Sequence, residues 1–244
     1  MKLFITTKNL DYIRNTQEIE LLTKECGGCR PDIIASSAGK YPARMAHVIR
    51  KLITCRFSDY DEIFVGFAPQ LIIPFFEGKF RRYRNDGGKV TIDFFISVYD
   101  TLVNDRKKIK KGSVPASVAA WLDKRTISLA DNVVVDTKAH GEYFTENFGL
   151  SRDKMQVLYL EADKSVYYPH TVKRAEEDAD KRIILYFASM LPLQGVETVL
   201  EAAKLMKDDK NIIFKIIGPV KNKVIQDNIR YIDWLPQDRL SHAI

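Results

Sequence analysis

The sequence is poor in cysteine, which limits both its redox and its metal chemistry. Only three cysteines occur among 244 residues, and an odd, sparse set excludes a disulfide scaffold. Cys26 and Cys29 have C-x-x-C spacing, and His47 and Cys55 are the only nearby candidates for further metal ligands. Their spacing fits no standard zinc pattern. We therefore expect reduced thiols and no metal site.

Motifs of several large enzyme classes are also missing. The first strand is followed by Thr6-Thr7-Lys8-Asn9, a loop without glycine, so there is no G-x-G-x-x-G dinucleotide loop. The chain contains no G-x-x-x-x-G-K-[ST] phosphate loop, no G-x-S-x-G turn and no H-E-x-x-H helix. These absences disfavour a dinucleotide-dependent dehydrogenase and exclude a P-loop enzyme.

Long apolar runs are absent, and none approaches the roughly 20 residues that a membrane-spanning helix requires. No signal peptide precedes the first strand. We therefore expect a cytoplasmic protein. Peripheral contact with the inner face of the membrane is compatible with this expectation.

The charge balance favours anionic partners. The chain has 38 Lys and Arg against 32 Asp and Glu, a net charge of +6. Two basic segments, 79–84 and 106–111, are candidates for contact with anionic lipid; the alternative is a solvated surface with ordinary helix-end cations. Aromatic residues are too sparse among these cations for stacking on nucleic acid, so no nucleic-acid partner is expected.

The remaining residues alternate between short β-rich runs and amphipathic stretches. The expected strands are 3–6, 32–35, 62–65, 91–98, 133–135, 156–160, 183–188, 212–217 and 229–234. The expected helices are 10–25, 40–54, 69–84, 114–130, 138–148, 196–206 and one beginning near Gln237. This alternation predicts an α/β protein with parallel sheets covered on both faces. Right-handed crossovers then give Rossmann-like, doubly wound sheets.

A change in composition divides the chain. Residues 169–182 are polar and charged without a hydrophobic period, which predicts a linker. The linker would join a complete Rossmann-like domain, 1–168, to a partial one, 183–244. Three strands are half of a six-stranded doubly wound sheet, so solvent or another chain would have to meet the open sheet edge.

Candidate site residues lie beyond the carboxyl ends of the strands, where doubly wound sheets bind ligands. Strand four is expected to end near Tyr99 and Asp100, where the acid could act as a base or orient a hydroxyl. The alternative for Asp100 is a helix N-cap or a turn residue. His140 is interpreted as a solvated helix residue. The other candidates of the first domain follow strands three, five and six: Gly66, Gln70, Asp136, Thr137 and Glu161. Each has a structural alternative as a turn glycine, a helix cap or a solvated turn residue.

One stretch carries a family resemblance. Residues 187–204 read FASMLPLQGVETVLEAAK and resemble the opening of the nucleotide-sugar-binding domain of family-four glycosyltransferases with the GT-B fold. In that family, a strand and a loop ending in Lys-Gly or Gln-Gly precede a helix of this pattern. Shorter similar stretches are IIGP at 216–219, NIRYIDWLP at 228–236, LAD at 129–131 and the domain exit at 161–169.

The resemblance implies a GT-B-like fold whose first domain holds the acceptor and whose second holds a nucleotide sugar. It implies sugar transfer to a glycan or lipid-linked acceptor in polysaccharide biosynthesis, with retention at the anomeric carbon. It implies no obligatory metal and no cofactor, the nucleotide sugar being a substrate. The donor diphosphate would lie at a helix N-terminus, near Ser189, Gln194, Gly195 and Gly218.

The sequence also departs from the family. Ser189 and Gln194 stand where the family has an Arg and a Lys that bind the donor diphosphate. After strand four, the family often has a His-Asp pair, and this sequence has Tyr99-Asp100 at that position. The family's Glu-containing donor motif has no counterpart up to Ile244, so we expect little transfer by these 244 residues alone. Two alternatives stay open: a non-catalytic subunit completed by another chain, and a nucleotide-sugar epimerase.

Overall fold

The computed structural model describes residues 1–37, 39–169, 180–191 and 194–244. They form two compact units, Met1–Leu160 and Glu161–Ile244. Most of the predicted linker lies outside the described residues, as do residues 192–193 of the predicted donor loop.

The described part of the first unit alternates strands with helices in the predicted order. The strands are β1 (Lys2–Ile5), β2 (Asp32–Ile34), β3 (Glu62–Val65), β4 (Lys89–Asp93), β5 (Asn132–Val135) and β6 (Met155–Val157). The helices are α1 (Ile13–Glu25), α2 (Tyr41–Thr54), α3 (Glu77–Asn85), α4 (Val114–Ser128) and α5 (Lys138–Phe148). Helix α5 ends at Gly149, whose φ of 75° is readily adopted only without a side chain.

The six strands form one parallel sheet in the order β2-β1-β3-β4-β5-β6. In register, Phe4 pairs with Phe64, and Ile92 pairs with Val133. Successive side chains of a strand point to opposite faces, so Leu3 and Ile5 join the larger apolar core, whereas Phe4 packs in a second core against α1. Both faces are covered, as the alternation predicted, and the fold of this unit is Rossmann-like.

Strand four is shorter than its predicted range, 91–98. The assigned strand β4 ends at Asp93. Phe94 still donates its amide to the carbonyl of Val134 in β5 at 2.7 Å, and its ring packs against Phe144 of α5 at 4.9 Å between ring centroids. The apolar run continues past the strand because a helix buries it, and hydrophobicity alone cannot separate these two causes. Asp100 therefore lies in a π-helical turn, Asp100–Asp105, rather than directly at the strand end.

The helix predicted over 69–84 is also interrupted. Two 3₁₀ turns, Pro69–Leu71 and Pro74–Phe76, precede α3. Each proline removes an amide donor and restricts the residue before it, so a continuous α-helix cannot form. No helix among the described residues of either unit is long and apolar enough to cross a bilayer.

The second unit contains a smaller parallel sheet. Its elements are β7 (Arg182–Phe187), α6 (Val196–Leu205), β8 (Ile212–Ile217), β9 (Ile229–Ile232) and α7 (Gln237–Ser241). The strand order is β7-β8-β9. Buried residues of α6, β8 and β9 form its core: Leu200, Ala203, Ile212, Phe214, Ile216 and Ile229.

Strand β7 is an edge of this sheet. Within the described residues it pairs only with β8. Ile184 and Phe187 are 38% and 48% exposed, although strands of this composition are ordinarily buried.

Candidate functional site

The sheet order of the first unit places its switch point at β1. The chain runs from β1 to β2 on one side and returns to β3 on the other, and ligands of such sheets bind beyond the carboxyl ends at this point. The Thr7 hydroxyl ties the two loops together by donating to the carbonyl of Phe67 at 3.1 Å. A cavity of about 570 Å³ opens beside the loop after β1, and its lining includes Asn9, Asp11 and Ser37.

Three aromatic rings from three loops meet at this carboxyl edge. Tyr12 lies edge-on to Phe67 at 5.6 Å, and Phe67 lies 6.1 Å from Phe95, between ring centroids. The ammonium of Lys8 lies 5.1 Å from the centroid of Phe67 and 5.5 Å from that of Tyr12. The glycine-free first loop thus supplies a cation held over aromatic faces.

Gly66 has a structural reason to be glycine. A Cβ at this position would lie 2.9 Å from the ring of Phe4 and 3.0 Å from Oε2 of Glu18. Both neighbours are fully buried, so neither can move aside at little cost. The missing side chain makes room for these groups within the protein itself.

A buried charge cluster lies beside Gly66, and the sequence reading missed it. Arg14 of α1 donates to Asp93 Oδ1 from Nε at 3.2 Å and from Nη2 at 2.9 Å, and its Nε lies 3.3 Å from Glu18. All three side chains are at most 2% exposed. Burial raises the pKa of Glu18 well above its usual value, and the neighbouring carboxyl of Asp93 adds to this.

This arrangement retains a proton. One guanidinium can balance only one carboxylate, so the second acid is stable in the interior when it is neutral. The available sequence signals were the four-residue spacing of Arg14 and Glu18 on one helix face and the acid within an apolar run at Asp93.

A second buried acid, Asp123 of α4, organises the loop after β4. Its carboxylate accepts hydrogen bonds from Gln70 Nε2 at 3.0 Å, from the Ser97 hydroxyl at 2.7 Å and from the amides of Val98 and Tyr99 at 3.0 and 2.9 Å. Burial raises the pKa of Asp123, whereas these donors act in the opposite direction. Gln70 is itself fully buried and also donates to the carbonyl of Ile96, so it anchors the loop from inside.

Asp100 is partly buried, and its carboxylate accepts hydrogen bonds from Tyr143 and Asn104. Tyr143 donates its hydroxyl to Asp100 Oδ1 at 2.7 Å, and Asn104 donates to the same oxygen at 2.5 Å. Burial and the Asp100 carboxylate raise the pKa of Tyr143 to about 12, so this donor stays protonated. Tyr99 instead packs against the apolar core, with its ring 6.3 Å from that of Phe148.

The segment after β5 brings a histidine to the same edge. Nδ1 of His140 lies 2.8 Å from Asp136 Oδ1, and both side chains are about one-third exposed. Burial alone would raise the pKa of Asp136, but the hydrogen bond with His140 lowers it below its usual value. The hydroxyl of Thr137 accepts from the His140 amide at 3.2 Å and caps α5, which is the structural alternative considered for that residue.

Asp100, Tyr143, His140 and Asp136 form what we call the α5 polar cluster. His140 and Tyr143 are three residues apart on one helix, with ring centroids separated by 6.4 Å. An imidazole whose Nδ1 is held by a carboxylate can accept or deliver a proton at Nε2. Glu161 is not part of this cluster: it belongs to the second unit and is exposed, with an ion pair to Lys164 at 3.2 Å.

In the second unit, the predicted donor residues shape a loop before α6. Gln194 Oε1 accepts from the amide of Leu191 at 2.8 Å and from the hydroxyl of Ser189 at 3.3 Å. Gly195 is the N-cap of α6 with a φ of 71°. The first amides of a helix have no partner within it, so the start of α6 presents donors to a ligand.

Gly218 permits the close approach of two strand ends. Its φ is 141°, and a Cβ there would lie 2.2 Å from the carbonyl oxygen of Ala188. Only glycine fits such a position without moving the loop after β7. Among the described residues, no group of three or more His, Cys, Asp or Glu side chains could hold a metal ion.

Comparison with known proteins gives a structural likeness only. No family model and no curated protein matches this sequence. The structure is similar to that of a glycosyltransferase from Rickettsia africae ESF-5, with a TM-score of 0.59 and 13% sequence identity. The match covers 99% of this chain and 70% of that one. At this identity the likeness shows the fold: this chain shares the α/β architecture of a glycosyltransferase.

Proposed function

We propose that this protein is a glycosyltransferase that moves a sugar from a nucleotide-sugar donor to a glycan or lipid-linked acceptor. The observation that supports it most is the similarity to a glycosyltransferase structure over 99% of the chain, which includes both units. A likeness confined to the first unit would fit any Rossmann-like protein, because that fold serves many functions.

The second unit supplies the donor side in this proposal. A diphosphate binds at the N-terminus of α6, where amides and the helix dipole favour negative charge. Gly195 leaves the approach to these amides open. Ser189 and Gln194 brace the loop through their mutual hydrogen bond, so the backbone, rather than an Arg-Lys pair, contacts the phosphates.

The first unit supplies the acceptor side through the α5 polar cluster. His140, oriented by Asp136, takes or delivers the proton of an acceptor hydroxyl. Asp100, held by Tyr143, orients a second hydroxyl through its remaining oxygen. Transfer proceeds with retention at the anomeric carbon and without a metal. The buried Gly66 and Gln70, together with the helix cap Thr137, maintain the shape of this edge.

The donor site is tested by nucleotide binding. We expect Gly195→Asp to weaken the affinity of the intact protein for nucleoside diphosphates by about tenfold or more, because a carboxylate at the α6 N-terminus repels phosphate. Gly195→Asn is the matched control: it has nearly the same volume, tolerates positive φ equally and carries no charge. Isothermal titration with UDP, GDP and ADP in turn measures both variants.

Three results would contradict the proposal. Equal affinities for the Asp and Asn variants would show that no phosphate lies at α6. Nucleotide binding without sugar transfer by the intact protein would favour the non-catalytic subunit, and conversion of the nucleotide sugar itself would favour the epimerase. Product analysis by mass spectrometry and NMR separates these outcomes.

A further inference from the structure

Helix α4 carries apolar side chains on two opposite faces. Its inner face packs into the first unit through Ala116, Ala119 and Ile127. On its outer face, Val114, Val118 and Trp121 are 78%, 51% and 54% exposed. Their spacing of four and three residues aligns them in one stripe. An apolar stripe on the outer face of a helix indicates a surface that contacts another protein or a membrane.

A basic segment leads directly into this stripe. From Arg106 to Leu122 the sequence contains five cations and no carboxylate. The backbone holds the segment in place, because the amide of Lys108 donates to the carbonyl of Leu102 at 2.8 Å and the Ser113 hydroxyl donates to the carbonyl of Lys110 at 2.7 Å. Within the described chain, no salt bridge neutralises the cations at positions 106–111.

The other basic segment, 79–84, is different. Lys79 donates to the carbonyls of Leu52 and Cys55 at the end of α2, both at 2.5 Å. Arg81 pairs with Glu77 at 2.8 Å, and Arg84 forms a two-nitrogen contact with Asp131. Most of these cations already serve the fold, which leaves 106–111 as the segment available to an external anion.

We propose that the outer face of α4 and the basic segment 106–111 together bind the surface of an anionic lipid bilayer. Val114, Val118 and Trp121 enter the interface between head groups and acyl chains, where an indole ring is favoured. The lysines bind anionic head groups alongside. Phe75, which is 71% exposed on a turn that packs against α4, extends the apolar area. This combination of a tryptophan, aliphatic residues and unpaired cations fits a lipid surface better than a protein partner.

Vesicle co-sedimentation of the intact protein tests this proposal. We expect binding to phosphatidylcholine vesicles that contain 30% phosphatidylglycerol, weak binding to pure phosphatidylcholine, and release at high salt. Replacing Lys107, Lys108, Lys110 and Lys111 by Gln should lower the partition coefficient by about 100-fold. Val118→Ser with Trp121→Ser should lower it by about tenfold.

Matched controls come from exposed positions of the second unit. The quadruple Gln variant at Lys204, Lys207, Lys210 and Lys221 removes the same charge, and Leu205→Ser removes an apolar side chain that is 88% exposed. Both should bind vesicles like the wild type. Equal losses in the two quadruple variants would reduce the effect to net charge and overturn the proposal, as would equal binding to neutral and anionic vesicles or no binding. Circular dichroism melts confirm folding, and the assay does not depend on sugar transfer.

Discussion

The two units shape their carboxyl edges by different means. In the first unit, two acids that are almost completely inaccessible to solvent hold the edge. Asp93 accepts hydrogen bonds from Arg14, and Asp123 accepts hydrogen bonds from four donors in and near the loop after β4. In the second unit, the loop before α6 is held by the partly exposed Gln194 and by the glycines at 195 and 218. The same topology can therefore rest on buried side-chain charge or on backbone conformation, and the two respond differently to mutation.

The largest expected effect tests the buried side of this contrast. Asp123→Ala should lower the free energy of unfolding by about 3 kcal/mol, because it leaves two amides, the Ser97 hydroxyl and the Gln70 amide group without their acceptor. Gln194→Ala, which removes the bracing side chain of the second unit, should cost less than about 1 kcal/mol. Urea denaturation measures both free energies of unfolding. Similar losses for the two variants would show that the two carboxyl edges do not differ in what stabilises them.

The next prediction concerns chemistry at the first edge. His140→Gln should reduce sugar transfer by the intact protein by about 100-fold with folding retained, because the proton acceptor of the α5 polar cluster is lost. Asp136→Asn should reduce it less, since the imidazole remains but loses its orienting carboxylate. His47→Gln on α2 is the control and should be neutral. Steady-state kinetics decide, and a larger effect of Asp100→Asn would assign the proton transfer to Asp100 instead.

A third prediction sharpens the backbone side. Gly218→Ala should destabilise the protein by about 2 kcal/mol, since the new Cβ meets the Ala188 carbonyl and the backbone angle is strained. Gly149 also has a positive φ, but a Cβ added there would have no atom within 4 Å. Gly149→Ala is therefore the control. That control should cost about 1 kcal/mol. Thermal melts of the two variants separate the cost of the positive φ from the cost of the contact with Ala188. Identical decreases in melting temperature would show that the contact at Gly218 has no cost of its own.

The smallest expected effect is a pH dependence. The pKa of Glu18 is raised in the folded protein, so its contribution to stability is complete below the unfolded pKa and is lost as the pH rises through the folded pKa. Glu18→Gln mimics the protonated acid and should flatten this part of the stability profile, with a gain on the order of 1 kcal/mol at the alkaline end. Glu20→Gln on the exposed side of α1 should leave the profile unchanged. Denaturation midpoints between pH 4 and pH 9 provide the measurement.

The sequence predicted most of the elements but not the end of β4 or the break before α3. Apolar runs report burial and not strand length: Phe94 lies one residue past β4 and is buried by packing against Phe144 of α5. The amphipathic pattern over 69–84 predicted one helix. The prolines at 69 and 74, which interrupt an α-helix, were the signal for the two 3₁₀ turns that replace its first part.

The candidate site was only partly predictable for a different reason. Asp100 and Asp136 follow apolar runs, so position alone marked them as candidates. Their partners, Tyr143 and His140, lie on a helix whose rotation brings them to the edge, and a single sequence does not reveal which helix faces are shared. The Arg14–Glu18–Asp93 cluster joins residues up to 79 positions apart, and such pairings depend on the completed fold.

The edge strand β7 has a consequence for handling the protein in solution. Its outer backbone groups have no ladder partner among the described residues, and Ile184 and Phe187 lie along it. A strand of this kind is a template for the same strand of another molecule. When residues 1–244 are produced on their own, we expect self-association to rise with concentration and to begin at this strand, so that light scattering should fall when Ile184 is replaced by Lys.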